Sequence, residues 1–222
     1  MIEAQKLKIN ISEEIGTVSA LLILPKDAFA LLVLSHGAGA GMEHAFMEAL
    51  AQELATHQVG TLRFNFAYME KGGGPDRPKK AHPAIKAAVA KALTYSDGLV
   101  LLAGGKSFGG RMTSQVAALG ELEAVKGIVY YGFPLHAPGK VGTERAEHLS
   151  AIPQPQLFLQ GTRDTLAKYD LIESVCSKLD KAHLVKMEGG DHSFKTLKRS
   201  GITPEEVLQK LAEETAAFAR KV

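Results

Sequence analysis

The chain has 222 residues, 45% of them hydrophobic, a formal net charge of +2 and a single cysteine. That length and apolar content fill one large core, so a single domain over residues 1–222 is expected. The charge is too small for a nucleic-acid footprint, and the basic clusters Lys79-Lys80 and Lys195 to Arg199 are short and lack interleaved aromatics. Cys176 has no partner for an intramolecular disulfide and suits a reducing compartment. The start MIEAQKLKIN has no apolar signal core, and no apolar run approaches membrane-spanning length. A cytoplasmic protein with neither nucleic acid nor membrane as partner is expected.

The strand-like stretches QKLKINI (5–11) and VSALLIL (18–24) come first and read as an antiparallel lead-in. ALLVLSH (30–36) reads as a buried strand, and residues 42–57 follow it with helical apolar spacing at Phe46, Leu50 and Leu54. GTLRFNF (60–66) is the next strand. The loop 67–81, with three consecutive glycines and two prolines, reads as a mobile flap, and a helix over 85–95 follows on Ile85, Val89 and Leu93. GLVLLAG is the third buried strand; VKGIVYYG (126–132), PQLFLQG (155–161) and HLVKMEG (183–189) complete the set, with helices at 167–179 and 204–220. Alternation of strand and helix predicts an α/β fold, a mainly parallel sheet with helices on both faces.

The third buried strand runs into Gly104-Gly105-Lys106-Ser107-Phe108-Gly109. A phosphate-binding loop needs a glycine five residues ahead of Gly105-Lys106, and that position is Val100, inside the strand. Gly105-Lys106-Ser107-Phe108-Gly109 instead satisfies G-x-S-x-G, in which flanking glycines permit a strained strand-to-helix turn that exposes the serine hydroxyl. Ligands of parallel sheets bind at the carboxyl ends of strands, so a base and an acid are sought there. PQLFLQG is followed by Thr162-Arg163-Asp164, and HLVKMEG by Gly190-Asp191-His192-Ser193-Phe194. Taken singly, Asp164 and His192 read equally as turn or capping residues.

The motifs GKSFG, GTRD, GGDHSF and SHGAGAG (35–41) together resemble those of the α/β-hydrolase superfamily over nearly the whole chain, most closely its small branch without a cap, near dienelactone hydrolases and testis-expressed hydrolase-like proteins. The order Ser107, Asp164, His192 is the order that resemblance implies. Dienelactone hydrolases carry cysteine where this chain has Ser107, so their substrate is not carried over. The resemblance implies a catalytic set of Ser107, His192 and Asp164, with oxyanion donors at the backbone of Phe108 and Ala38. A small carboxylic ester or thioester is the expected substrate, without cofactor or metal; a peptidase or a non-catalytic scaffold is the alternative.

Asp191 adjoins His192 and is disfavoured as the acid because its side chain points elsewhere. His36 and Gly37 in the oxyanion turn, and Lys106 beside the serine, are candidate substrate contacts. Tyr131, Phe133 and Leu135 are candidates for an acyl pocket or, equally, for core packing. Cys176 falls on an apolar helical stripe and reads as core, and Glu43-His44 lacks a second ligand pair for zinc. Lys71, Arg77, Lys79, Lys80, Lys106, Arg111 and Arg163 suggest attraction of an anionic substrate, or simply exposed cations. Only residues 132–156 separate two successive strands, too few for a cap, from which short or compact acyl groups are expected.

Overall fold

The computed structural model describes residues 2–222. Eight strands form one sheet: β1 (Gln5–Ser12), β2 (Gly16–Ile23), β3 (Ala30–Ser35), β4 (Val59–Phe64), β5 (Val100–Lys106), β6 (Gly127–Tyr131), β7 (Gln156–Gly161) and β8 (Ala182–Met187). Their order is β1-β2-β4-β3-β5-β6-β7-β8. The β1–β2 and β2–β4 pairings are antiparallel and all others parallel. Each residue of β3 is buried, as the unbroken apolar run ALLVLS requires of a central strand covered on both faces.

Side chains alternate between two cores. Leu31, Val33, Leu62, Phe64, Leu101 and Ala103 face one layer, under α3 (Pro78–Leu93), α4 (Phe108–Ala118) and α5 (Tyr169–Cys176). Ala30, Leu32, Leu34 and Leu102 face the other, under α1 (Ala45–Thr56) and α6 (Pro204–Ala219), which also pack on each other. Cys176 is buried in the first core. The chain leaves β3 for β4 on one side and reaches β5 on the other, so the carboxyl ends of β3 and β5 flank the point where strand order reverses. A crevice opens there by topology alone.

Two elements differ from the sequence expectation. The first helix starts at Ala45, with the His44 ring accepting from the Phe46 N–H at 3.2 Å, and residues 42–44 form a turn. Arg63, fully buried at the end of β4, donates to the Met42 carbonyl at 3.1 Å and pairs with Glu48, which fixes that turn. Burial alone would raise the Glu48 carboxyl, but hydrogen bonds from Gln52 and Arg63 and the Arg63 charge hold it below its ordinary range.

The expected flap is a packed segment. Residues Ala67–Lys71 form a short helix, α2, and α3 already begins at Pro78, so the loop shrinks to residues 72–77. Pro78 at the first helical position loses no hydrogen bond there, which is why a proline-rich stretch opens a helix. Lys71 donates to the Ile15 carbonyl at 2.9 Å and the Tyr68 N–H to Asp76 at 3.2 Å. Between β6 and β7 the chain makes only a 3-10 segment, Glu144–Ala151, and no cap covers the sheet end among the described residues.

Candidate active site

Ser107 joins β5 to α4 with φ 50° and ψ −111°, backbone that a non-glycine residue avoids at a cost of about 1–3 kcal/mol. Its N–H donates to the Tyr131 carbonyl at 3.1 Å, and its carbonyl accepts from the Arg111 N–H at 3.0 Å. The flanking glycines permit close approach. A Cβ on Gly109 would lie 2.6 Å from the His36 carbonyl oxygen and 2.7 Å from that of Ser35, and one on Gly105 would collide with Ser35. Ser35 Oγ donates to the Gly104 carbonyl at 2.6 Å and lies 3.2 Å from Thr113 Oγ1, tying β3, β5 and α4 together beneath the serine.

The three residues from three strand ends meet. His192 Nε2 lies 2.8 Å from Ser107 Oγ, and Nδ1 lies 2.7 Å from Asp164 Oδ2. A carboxylate can only accept, so Nδ1 carries the proton and Nε2 is left to accept from the serine hydroxyl. Asp164 is 4% exposed; its other oxygen accepts from the Leu166 N–H at 2.7 Å, and Gln160 donates to Oδ2 at 2.6 Å. Gln160 is itself held by the Phe133 N–H at 2.9 Å. Asp191 does different work: its side chain accepts from the Ser193 and Lys195 N–H groups at 2.8 and 2.9 Å, folding the loop that carries His192.

The first N–H of α4, that of Phe108, has no intrahelical acceptor. The turn at Gly37-Ala38 lies beside the elbow, where a Cβ on Gly37 would come within 4.0 Å of Ser107 Cβ. His36 is fully buried: its Nε2 accepts from the Phe66 N–H at 3.0 Å, and Nδ1 donates to the Gly37 carbonyl at 2.7 Å. Burial lowers its pKa, with the Gly37 hydrogen bond acting in the opposite sense, which keeps the ring neutral. His36 therefore braces the turn, the support for the oxyanion loop that its place in this kind of turn suggests, and its fully buried ring presents no surface to the crevice. The Tyr68 hydroxyl reaches the carbonyls of Ala38 at 3.0 Å and Gly37 at 3.2 Å. Burial pushes that phenol far above its ordinary range, so it stays a donor. Tyr68→Phe is expected to lower kcat about tenfold with little change in urea midpoint, since only the clamp on the turn is lost. An unchanged kcat would show that the turn holds itself.

Tyr131, Phe133 and Leu135 are each fully buried and line no crevice. The Tyr131 hydroxyl meets Thr215 of α6 at 2.8 Å, and Phe133 packs edge-on against Tyr130 at 5.3 Å between ring centres. Tyr131 ends its strand in the core under α6, and Gly132, at φ 72°, breaks the extended backbone so that Phe133 and Leu135 enter the opposite core; all three pack. Gly37 and Lys106, by contrast, line a recess of about 870 Å³. Its apolar walls come from Phe46 and Ala49 of α1, from Phe194 and Ile202 in the loop after His192, and from Val207 and Leu208 of α6. Of the other basic candidates, Lys71 is tied to Ile15 and Arg163 donates to the Gly189 carbonyl at 3.1 Å; Arg77, Lys79 and Lys80 are exposed, and Arg111 is half-buried with Arg145 as a like-charged neighbour.

Lys106 sits under the His192 loop. Its ammonium donates to the His192 carbonyl and lies 5.3 Å from the centre of the Phe194 ring. Burial pushes its pKa down to about 8, against the pull of Asp164 and Asp191. A lowered lysine pKa means that between about pH 8 and 10.5 the unfolded chain holds a proton the folded chain has released. Stability contributed here therefore rises with pH across that window. Urea unfolding at pH 7.5 and 10 is expected to show this rise reduced in Lys106→Met; an equal rise in both proteins would assign it to other groups.

The esterase domain of a Rhodothermus marinus protein superposes with a TM-score of 0.75 at 16% identity, covering 99% of each chain. A dienelactone hydrolase from Anabaena variabilis gives 0.73 at 17% identity, over 99% of this chain and 98% of its own. A serine hydrolase without lid from Xanthomonas campestris gives 0.69 at 19%, over 96% and 95%. At such identities the likeness is one of fold. The family model for the alpha/beta hydrolase domain matches residues 28–220, from just before β3 through α6, and on that match the chain belongs to the α/β-hydrolase family.

Proposed function

We propose that this protein is a serine hydrolase that cleaves a carboxylic ester or thioester through an acyl-enzyme on Ser107. The observation that carries the reading is the single imidazole bridging Ser107 Oγ at 2.8 Å and Asp164 Oδ2 at 2.7 Å, with the oxyanion turn beside it. As Oγ attacks the carbonyl carbon, its proton passes to His192 Nε2, and Asp164 stabilises the imidazolium so formed. The carbonyl oxygen becomes an oxyanion that accepts from the N–H groups of Phe108 and Ala38; one such donor is worth about 3–4 kcal/mol. On collapse the carbon–oxygen or carbon–sulfur bond to the leaving group breaks, and His192 returns the proton to that alcohol or thiol. Water then gives a proton to the same nitrogen while its oxygen attacks the acyl carbon, which releases the carboxylic acid and restores the serine hydroxyl. No step calls for a cofactor. Fluorophosphonate probes test the reading: the protein should be labelled on Ser107 and hydrolyse p-nitrophenyl acetate, whereas no uptake of the probe would favour a scaffold role.

A further inference from the structure

The acyl preference expected from the missing cap does not fit the recess beside Ser107. An enzyme without a lid lacks apolar cover only if the body of the fold supplies none, and here it does. The volume, about 870 Å³, lies within the range of sites that bury whole small-molecule ligands. Its walls are Phe46, Ala49, Phe194, Ile202, Val207 and Leu208. Phe46 and Phe194 stack with ring centres 5.9 Å apart, bridging α1 to the loop that carries His192. Gly37 and Lys106 belong to the recess and also neighbour the candidate nucleophile: a Cβ on Gly37 would lie 3.7 Å from the Lys106 carbonyl oxygen and 4.0 Å from Ser107 Cβ. The recess thus reaches the residues that flank Ser107 and, at Ser193, the residue after His192.

Resting on the hydrolase reading, we infer that this recess is the acyl site and that the substrates are esters or thioesters of medium-chain fatty acids. The division between acyl and leaving group follows from the order of events. Once the leaving group departs, water must take its place beside His192 Nε2, so that side must be open to solvent. The acyl chain stays covalently held through both steps and gains from an apolar enclosure that water wets poorly. Lys195 and Lys198 border the recess. Their flexible stems extend apolar cover while their ammonium groups remain in water.

The test is a chain-length series of p-nitrophenyl esters, acetate to decanoate, kept below their micellar concentrations, beside a series of alkyl acetates of rising alcohol length. The value of kcat/KM is expected to rise by up to about fourfold per methylene from acetate to octanoate and to stay flat in the alcohol series. Leu208→Trp should collapse the ratio of octanoate to acetate toward one; Ala45→Phe, on the rim of the same recess, provides a second filling change if the first does not fold. Calorimetric titration of octanoate into Ser107→Ala reads the site without turnover and should show saturable binding, lost on adding Leu208→Trp. Acetate turnover with a flat or falling acyl series would overturn the acyl site and leave the hydrolase reading standing. A slope confined to the alcohol series would do the same. Absence of turnover together with octanoate binding would overturn the hydrolase reading and keep the recess as a fatty-acid site; absence of both turnover and binding would overturn the recess as well.

Discussion

Ser107→Ala is expected to lower kcat for p-nitrophenyl acetate by about 10⁴- to 10⁶-fold, with the urea midpoint unmoved. The fold does not rest on the hydroxyl: its one hydrogen-bond partner among the described residues is His192 Nε2 at 2.8 Å, while the elbow is held by the backbone bonds to Tyr131 and Arg111. His192→Ala should cost as much, and the double variant no more than either single change, because a nucleophile without its base and a base without its nucleophile are equally idle. Asp164→Asn should lose about 10⁴-fold for a different reason. An amide at that position can present N–H to Nδ1, which reverses the tautomer and leaves Nε2 protonated toward the serine. Gln160, whose donor at 2.6 Å now serves the carboxylate, would find the same oxygen or a competing N–H. Initial rates on the three single variants and the double decide this. A loss of less than tenfold in Ser107→Ala, with labelling retained, would remove Ser107 from the chemistry.

What the sequence made legible follows a physical division. Ser107, Asp164 and His192 each stand just past the end of a strand, within three residues of a glycine, so local punctuation marks their places, and the two glycines around Lys106-Ser107-Phe108 mark the elbow. Their supports are non-local and leave no such mark. Ser35 reaches Thr113 across 78 residues and Gln160 reaches Phe133 across 27, and each reads in sequence as an ordinary strand or helix residue. Tyr68 was hidden for another reason: it lies in a helix too short to show a period, next to glycines and prolines that read as loop. Pro78 misled in the same way, since proline marks a break in a helix interior and a start at its first turn. The recess was invisible because its walls come from α1, α6 and the loop after His192, and each wall residue alone is only part of an amphipathic face. A count of insertions registers the missing cap but not a recess walled by α1, α6 and the loop after His192, elements that the fold already holds.

Gly109→Ala separates helix propensity from packing at the elbow. In an unconstrained helix the change gains about 1 kcal/mol, because alanine loses less backbone freedom than glycine. Here the new methyl would sit 2.6 Å from the His36 carbonyl oxygen and 2.7 Å from that of Ser35, both backbone atoms at the end of a central strand whose residues are all buried. Neither atom belongs to a side chain that can swing away, so α4 must move off β3 or the turn after β3 must move off α4. Overpacking of this kind costs about 1–3 kcal/mol and at times more, and it exceeds the propensity gain. The net expectation is a loss of up to about 2 kcal/mol, read as a lower urea midpoint at unchanged slope. Activity should fall further than stability. The displaced atoms are the supports of Ser107 and of the Gly37-Ala38 turn, and a shift of about 1 Å between nucleophile and oxyanion donors costs about 100-fold in kcat. A gain in stability with full activity would show that α4 and β3 can separate without disturbing the site, and would leave the elbow glycines with conformational freedom as their only purpose.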